Sequence, residues 1–376
     1  MPVVNQPVRP VIATIMRGNS RPFAFTTTLN HFNFMENDKR IPFLEFIPVS
    51  TFGAVMGLCG LSFAWKLAAR FWGLNPVVGE FIGGLAVLLF VALSSVFLVK
   101  LKSYPEVIHK EFSNPVSVSF FGTIIISLLL IPGIILPVLP SLAIVTWMLA
   151  AAAMFIFALF VLRVWIDHKQ MPDSAMPAWV IPVVGTLDVP IVGSHLPMPW
   201  VHEVCLAFFG IGFVFAIILL TIIISRLMFQ NPLPDGLQPT LMILAAPFAL
   251  TFNDYQSLTG NVSMGVSMLF YFNLFLLLLV GSKVMSIPKL CPFYLSWWSI
   301  SFPMAAVTIS ALHYAEHKPG IIQQIIAAVL LAVTTLVVIS LLLQSVYHII
   351  TGTFASLAPK PTPISTANAL ESGELI

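Results

Sequence analysis

The run His313-Tyr-Ala-Glu-His317 has the spacing H-x-x-E-H. On a helix that spacing brings two imidazoles and a carboxylate together, as in one class of zinc hydrolases. Zinc chemistry also needs a third protein ligand and a cleft that keeps bulk water out. Neither is evident beside a run that stops at Pro319-Gly320, so solvated rim residues are the plainer reading and no metal is expected. His202 and Glu203 open an apolar run and read as interfacial residues. Of the cysteines, Cys59 and Cys205 lie in apolar runs, and Cys291 forms no metal-ligand spacing with either. Neither a disulfide nor a zinc site is expected. With no nucleophile–base pair and no aspartate-rich diphosphate motif, the sequence predicts neither an enzyme nor a cofactor. What remains is a set of hydroxyls and two phenylalanines beside prolines: Phe248 after Pro247, and Phe302 before Pro303. A large ring beside a helix bend closes a narrow lumen; equally, it packs in a core or faces lipid.

The elements that must position these residues follow from composition. The chain has 376 residues, 58% hydrophobic and 9% charged, with a mean hydropathy of +0.98. A soluble domain carries about 25% charged residues. A chain this apolar cannot cover a water-facing surface, so an all-α polytopic membrane protein is expected. A net charge of +2 is too small to imply nucleic acid. The first apolar run starts near Phe46, too deep for a cleaved signal peptide.

Ten windows are long and apolar enough to span as helices: Phe46–Ala69, Val77–Val99, Val116–Leu136, Ser141–Ile166, Ala178–Val192, Val201–Ile224, Leu237–Phe252, Ser263–Gly281, Tyr294–Tyr314 and Ile321–Ile350. The expected organisation is an N-terminal cytoplasmic arm (1–45), a ten-helix domain (46–351) and a disordered Pro/Ser/Thr-rich tail (352–376). With the N-terminus in the cytoplasm, 14 of the 17 Lys and Arg fall inside; Lys66, Arg70 and Lys318 fall outside. That asymmetry obeys the positive-inside rule and puts both termini in the cytoplasm.

Every odd span contains a proline (Pro48, Pro132, Pro182, Pro247, Pro303), and no even span does. Proline removes a backbone donor and bends a helix, and the freed carbonyl is tolerated in a membrane where neighbours or a wet cavity satisfy it. The alternation predicts five helical hairpins, with bent odd helices forming an inner ring and straight even helices an outer wall. The odd spans carry hydroxyls, of which Ser50, Thr51, Thr123, Thr186, Thr251, Ser299 and Ser301 are pore-lining candidates. Hydroxyls offer hydrogen bonds to an anion without binding it tightly; they also serve simply to pack helices. The Gly53-x-x-x-Gly57 spacing, with Gly60 beyond, permits close helix approach. Between Asn114 and Leu162 no residue is charged, and Asp188 and Asp254 fall late in spans 5 and 7, near the outer rim. Mid-membrane chemistry is therefore not expected, which favours a passive pore over a coupled carrier.

Three segments carry a resemblance: NPVSVSFFGT (Asn114 to Thr123), MPAWVIPVVGTLDVPIVG (Met176 to Gly193) and WWSISFPMAAVTISALHYA (Trp297 to Ala315). With ten spans and cytoplasmic termini, the sequence resembles the tellurite-resistance/dicarboxylate transporter family, which includes TehA-like proteins and the SLAC-type anion channels of plants. The resemblance runs from about Phe43 to Thr351. It implies a quasi-fivefold protomer with a central pore, a homotrimer, and a pore-blocking phenylalanine in span 9, here Phe302. Read from their places beside the bends, Pro303 supports that gate and Phe248 is a secondary pore aromatic, but only Phe302 carries the family match. The resemblance implies passage of small anions of the chloride, nitrate, malate or sulfite class across the plasma (inner) membrane. The family's His-Pro-Val-Arg pattern at the start of span 3 is Asn114, Pro115, Val116 and Ser117 here, so its imidazole and its basic group are missing. The rival on the same fold is a proton-coupled exporter of C4-dicarboxylate or sulfite.

Overall fold

The computed structural model describes residues 47–114, 116–286 and 293–353, all within the unit that begins at Pro42. The expected cytoplasmic arm, Pro115, Lys289, Cys291, Lys360 and the tail expected to be disordered, from Phe354 on, lie outside the described residues. The described chain is helical. Eight segments are long and apolar enough to cross a membrane: Val49–Trp72, Val77–Ser103, Ser117–Ile135, Pro140–Asp167, Pro199–Phe229, Met264–Val284, Leu295–His317 and Ile321–Ile350.

Odd and even expected spans differ in build. The even ones are single long helices: α2 (Val77–Ser103), α6 (Pro140–Asp167), α9 (Pro199–Phe229), α11 (Met264–Val284) and α13 (Ile321–Ile350). Pro140 and Pro199 open α6 and α9, where the missing N–H costs nothing. The odd ones are composite. A 3₁₀ turn, Val49–Phe52, leads into α1 (Gly53–Trp72). After α3 (Pro105–Ser113), the short α4 (Ser117–Phe120) leads into α5 (Gly122–Ile135). Pro177–Gly193 strings together a 3₁₀ turn, α7 (Val180–Val184), a second 3₁₀ turn and α8 (Asp188–Gly193). An 11-residue 3₁₀ stretch, Asp235–Ala245, precedes α10 (Ala246–Thr259). Leu295–Ile300 is 3₁₀ before α12 (Ser301–His317).

The prolines sit at these junctions, and this corrects the expectation of mid-helix bends. Pro247 is the second residue of α10 and Pro303 the third of α12. A first-turn N–H has no intrahelical acceptor, so proline is tolerated there. Only Pro132 lies inside a longer helix, near the end of α5.

Burial separates the two sets. In the central windows of Val49–Trp72 and Leu295–His317, 78% and 83% of residues are buried, against 11% for α2 and 28% for α9 and α13. α1 packs on α2, α5 on α6, α7 and α8 on α9, α10 on α11, and α12 on α13. α1 also packs closely on α12, because a Cβ at Gly57 would collide with the Ser301 side chain and one at Gly60 would stand 2.7 Å from Ala305 Cβ. Side-chain hydrogen bonds tie the sets together. Trp65 Nε1 donates to Thr335 Oγ1 at 3.1 Å, Trp298 Nε1 to Ser345 Oγ at 2.9 Å, and Trp147 Nε1 to the Val189 carbonyl at 3.0 Å. Lys100, buried at the end of α2, donates to the Ile47 carbonyl at 3.0 Å and pairs with Glu111 of α3 at 2.7 Å. It fastens the start of the first bent segment to α2 and α3.

Candidate functional site

The five composite segments enclose two cavities. With the start of α1 set at the bottom, the lower cavity has a volume of about 60 Å³ and is lined by residues from the lower parts of all five, among them Ser50, Thr123, Asp188, Leu250, Ser299 and Phe302. The upper cavity, about 330 Å³, is lined by their upper parts, from Gly60, Leu130, Ile191, Leu250 and Phe302 upward to Arg70, Leu136, His195, Ser257 and His313. No residue of the five straight helices lines either one.

Two side chains line both cavities, Phe302 and Leu250. Phe302 is only 8% exposed. It is the second residue of α12, where the 3₁₀ stretch ends, and its ring would lie 3.4 Å from a Cβ placed on Gly60. The missing side chain at Gly60 is the space the ring fills.

Of the residues expected to line a lumen, Ser50, Thr123, Ser299, Phe302 and Pro303 lie on the lower cavity. Thr51, Thr186, Thr251 and Ser301 line neither. Thr186 packs against Gly212 of α9, and Ser301 against Gly57 of α1. Phe248 meets Phe272 of α11 edge to face, with centroids 5.0 Å apart, and it too lines neither cavity. Because α10 is helical from Ala246, Phe248 and Leu250 point to different faces, and the smaller residue faces the partition.

The hydroxyls have a second constraint. Each has one proton to donate. Thr51 donates to Pro48 O at 2.8 Å, Thr123 to Phe120 O at 2.6 Å and Thr186 to Val183 O at 2.8 Å. Thr251 donates to Pro247 O at 2.8 Å, Ser299 to Ser296 O at 2.6 Å and Ser301 to Trp298 O at 2.7 Å. In this arrangement these six present lone pairs, not protons, to a visitor; Ser50, on the lower cavity, is the candidate hydroxyl not committed in this way.

Charge is placed where the sequence did not predict it. Lys66, Arg70, His195, His313 and Asp254 all line the upper cavity. His313 Nδ1 stands 3.5 Å from Glu316 Oε2, and His317 Nδ1 is 2.9 Å from the His313 carbonyl. Thus the H-x-x-E-H run is turned partly onto its own helix. Asp188 lines the lower cavity and is 1% exposed; Asp254 is fully buried. The expectation that both lie at the outer rim is therefore wrong. The apolar run ends at Phe252, but α10 continues to Thr259, which leaves Asp254 more than a turn inside. Likewise, Asp188 begins α8, and the chain reaches the upper mouth only near His195.

Residues 47–346 match the family described as SLAC1, voltage-dependent anion channel. The chain is similar to the S-type anion channel SLAH2 of Arabidopsis thaliana, 25% identical over 325 residues, which is 84% of this chain and 61% of that protein. It is similar to the guard cell S-type anion channel SLAC1 of the same plant, 24% identical over 326 residues, 84% of this chain and 58% of the other. The tellurite resistance protein TehA homolog of Haemophilus influenzae is 23% identical over 313 residues, 82% of this chain and 92% of that protein. The match thus spans about three-fifths of these two plant relatives and most of the bacterial one.

Proposed function

The chain belongs to the SLAC1 family of voltage-dependent anion channels, and from that premise we propose that it passes small anions across the plasma membrane along its five composite segments, through a pore closed by Phe302. The observation that carries this reading is the position of Phe302 between two cavities lined by those five segments alone. A phenyl ring filling a narrow lumen excludes water, and a hydrophobic constriction without water does not conduct ions. In this reading ten helices cross the bilayer as five hairpins. The composite helices form the inner ring, and the exposed apolar faces of the straight helices meet lipid and the other copies of a homotrimer. The lower cavity opens to the cytoplasm.

The permeant anions are of the chloride, nitrate, malate or sulfite class. The lower cavity carries no fixed positive charge, so discrimination follows dehydration cost rather than a tight site. The test is anion current through purified protein in planar bilayers, normalised to protein that keeps its native oligomeric state. Phe302→Ala raises the current at least several-fold, and Phe302→Leu gives an intermediate rise. Phe248→Ala, packed on Phe272, changes it little. A correctly assembled Phe302→Ala protein no leakier than wild type overturns the gate, and a current carried by cations overturns the function.

One observation favours a second reading, a proton-coupled exporter of C4-dicarboxylate or sulfite on the same fold. Two buried aspartates stand beside the path. A reversal potential that moves with the proton gradient identifies that mechanism.

A further inference from the structure

We propose that Asp188 and Asp254 form a paired proton site on the anion path, and that anions cross only while both side chains are held as neutral carboxylic acids. The proposal rests on the pore reading and adds to it a condition for conduction.

Asp188 opens α8 and lines the lower cavity; Asp254 lies on α10 and lines the upper. α8 packs against α10. Asp254 is four residues beyond Leu250, hence on the same helix face, and Leu250 is one of the two side chains that separate the cavities. The two carboxyl groups therefore stand one on each side of the closure at Phe302.

Neither carboxyl group is provided for as an anion. Both oxygens of Asp254 and one of Asp188 are buried without a hydrogen-bond partner. The amide oxygen of Asn253, 7% exposed and also on the upper cavity, is unpartnered as well. The titratable and charged groups facing Asp254 are Asp188 from α8, Cys205 from α9, Lys66 and Arg70 from α1, His195 beyond α8 and His313 from α12. Among the described residues, neither Lys66 nor Arg70 comes within ion-pair distance of Asp254. The charged group that faces Asp188 is Asp254; the rest of the lower cavity is lined by apolar side chains and hydroxyls. A buried carboxylate with neither donor nor counter-ion takes up a proton instead.

The chemistry then joins. Each carboxylate takes one proton from the adjoining cavity and becomes a carboxylic acid, with no other bond made or broken. As an acid it offers an O–H donor to a passing anion, which the hydroxyls committed to backbone carbonyls do not. As a carboxylate it repels the same anion in a medium that screens poorly. The protons stay on the protein. Alkaline pH therefore lowers conductance and leaves the reversal potential where the permeant anion sets it.

The experiment measures anion current in planar bilayers from acid to alkaline pH, in the wild-type protein and in the open Phe302→Ala background. The expected result is a several-fold fall of current with rising pH, with an unchanged reversal potential. Asp188→Asn or Asp254→Asn flattens part of the dependence and the double variant most of it, with alkaline currents near the acid level. His195→Gln and His313→Gln retain it. An independent reading comes from infrared spectra of the purified protein, where a protonated-carboxyl C=O band present in wild type is lost in Asp254→Asn. The proposal is overturned if the double Asn variant keeps the wild-type dependence, if the histidine variants remove it, if the carboxyl band is absent, or if the reversal potential follows the proton gradient. Absence of any anion current, including in Phe302→Ala, defeats the pore reading itself and is distinct from these outcomes.

Discussion

At the scale of single residues, the proposed pore offers an anion different groups on the two sides of Phe302. The hydroxyls of Thr123 and Ser299 face the lower cavity but donate to backbone carbonyls, whereas the upper cavity has the fixed cations Lys66 and Arg70. These two are among the three basic residues that break the positive-inside count. Read by position they are exceptions; read by place they are the charged lining of a mouth. Fixed charge at a low-dielectric mouth concentrates counter-ions. Lys66→Gln with Arg70→Gln is expected to lower anion current entering from the upper side by about two- to tenfold at low salt. The difference should shrink above about 0.1 M, where the Debye length falls to about 10 Å. Conductance measured over a salt series checks this, and an effect independent of salt would show that the two side chains act by packing. The sequence could not reveal this role, because it depends on which face of α1 turns inward, and α1 is buried on nearly every face.

At the scale of elements, α1 and α12 hold the Phe302 ring between the two cavities by mutual approach. Gly57 leaves room for Ser301, and Gly60 for Ala305 and the Phe302 ring. The glycine spacing at 53, 57 and 60 is legible as a close-packing motif, but its partner helix is not, since 244 residues separate Gly57 from Ser301. The alternation of prolines marks which segments are irregular. It does not reveal that the irregularity is 3₁₀, because 3₁₀ and α share their apolar residues and differ only in hydrogen-bond register. The sequence conceals the depth of Asp188 and Asp254 for a related reason, since an apolar run and a helix do not end at the same residue. Gly57→Ala is expected to destabilise the fold by about 1–3 kcal/mol, the usual cost of overpacking a well-filled contact. Ser301→Gly in the same chain should restore most of it. Gly84→Ala, where an added Cβ meets nothing within 4 Å, should be neutral or slightly stabilising. Thermal unfolding in detergent, run as a double-mutant cycle, measures the coupling. Additive effects of Gly57→Ala and Ser301→Gly would mean that the two helices do not depend on this contact.

At the scale of the whole molecule, orientation follows from where basic residues fall once the helix ends are known. α2, α6, α9, α11 and α13 run downward if the composite segments run upward, since each joins its neighbour by a short turn. On that path Lys100, Lys102, Lys110, Arg163, Lys169, Arg226 and Lys283 lie at or near the lower ends, and Lys66, Arg70 and Lys318 at the upper ends. Cytoplasmic loops carry the excess of Lys and Arg, so we propose that the lower face, where the described chain begins at Ile47 and ends at Thr353, is the cytoplasmic one. The upper turn between α10 and α11 is the best place to test this. α10 reaches Thr259, Gly260 closes it in the left-handed conformation, and Ser263 caps α11. An epitope inserted between Gly260 and Asn261, both exposed, therefore interrupts no helix. The turn at Gln230–Pro234, between α9 and the 3₁₀ stretch, is its counterpart below. In sealed cells, the 260–261 epitope should be labelled from outside. Epitopes at 231–232 and at both termini should be labelled only after permeabilisation. The two turns bracket Asp235–Thr259, which holds the seventh expected span but is not among the eight segments long and apolar enough to cross a membrane; in the ten-span reading it is one ascending passage. Labelling of both from the same side would mean that this segment enters and leaves by one face. The lumen would then have four crossing walls, and Leu250 and Asp254 would not lie beside Phe302 within it.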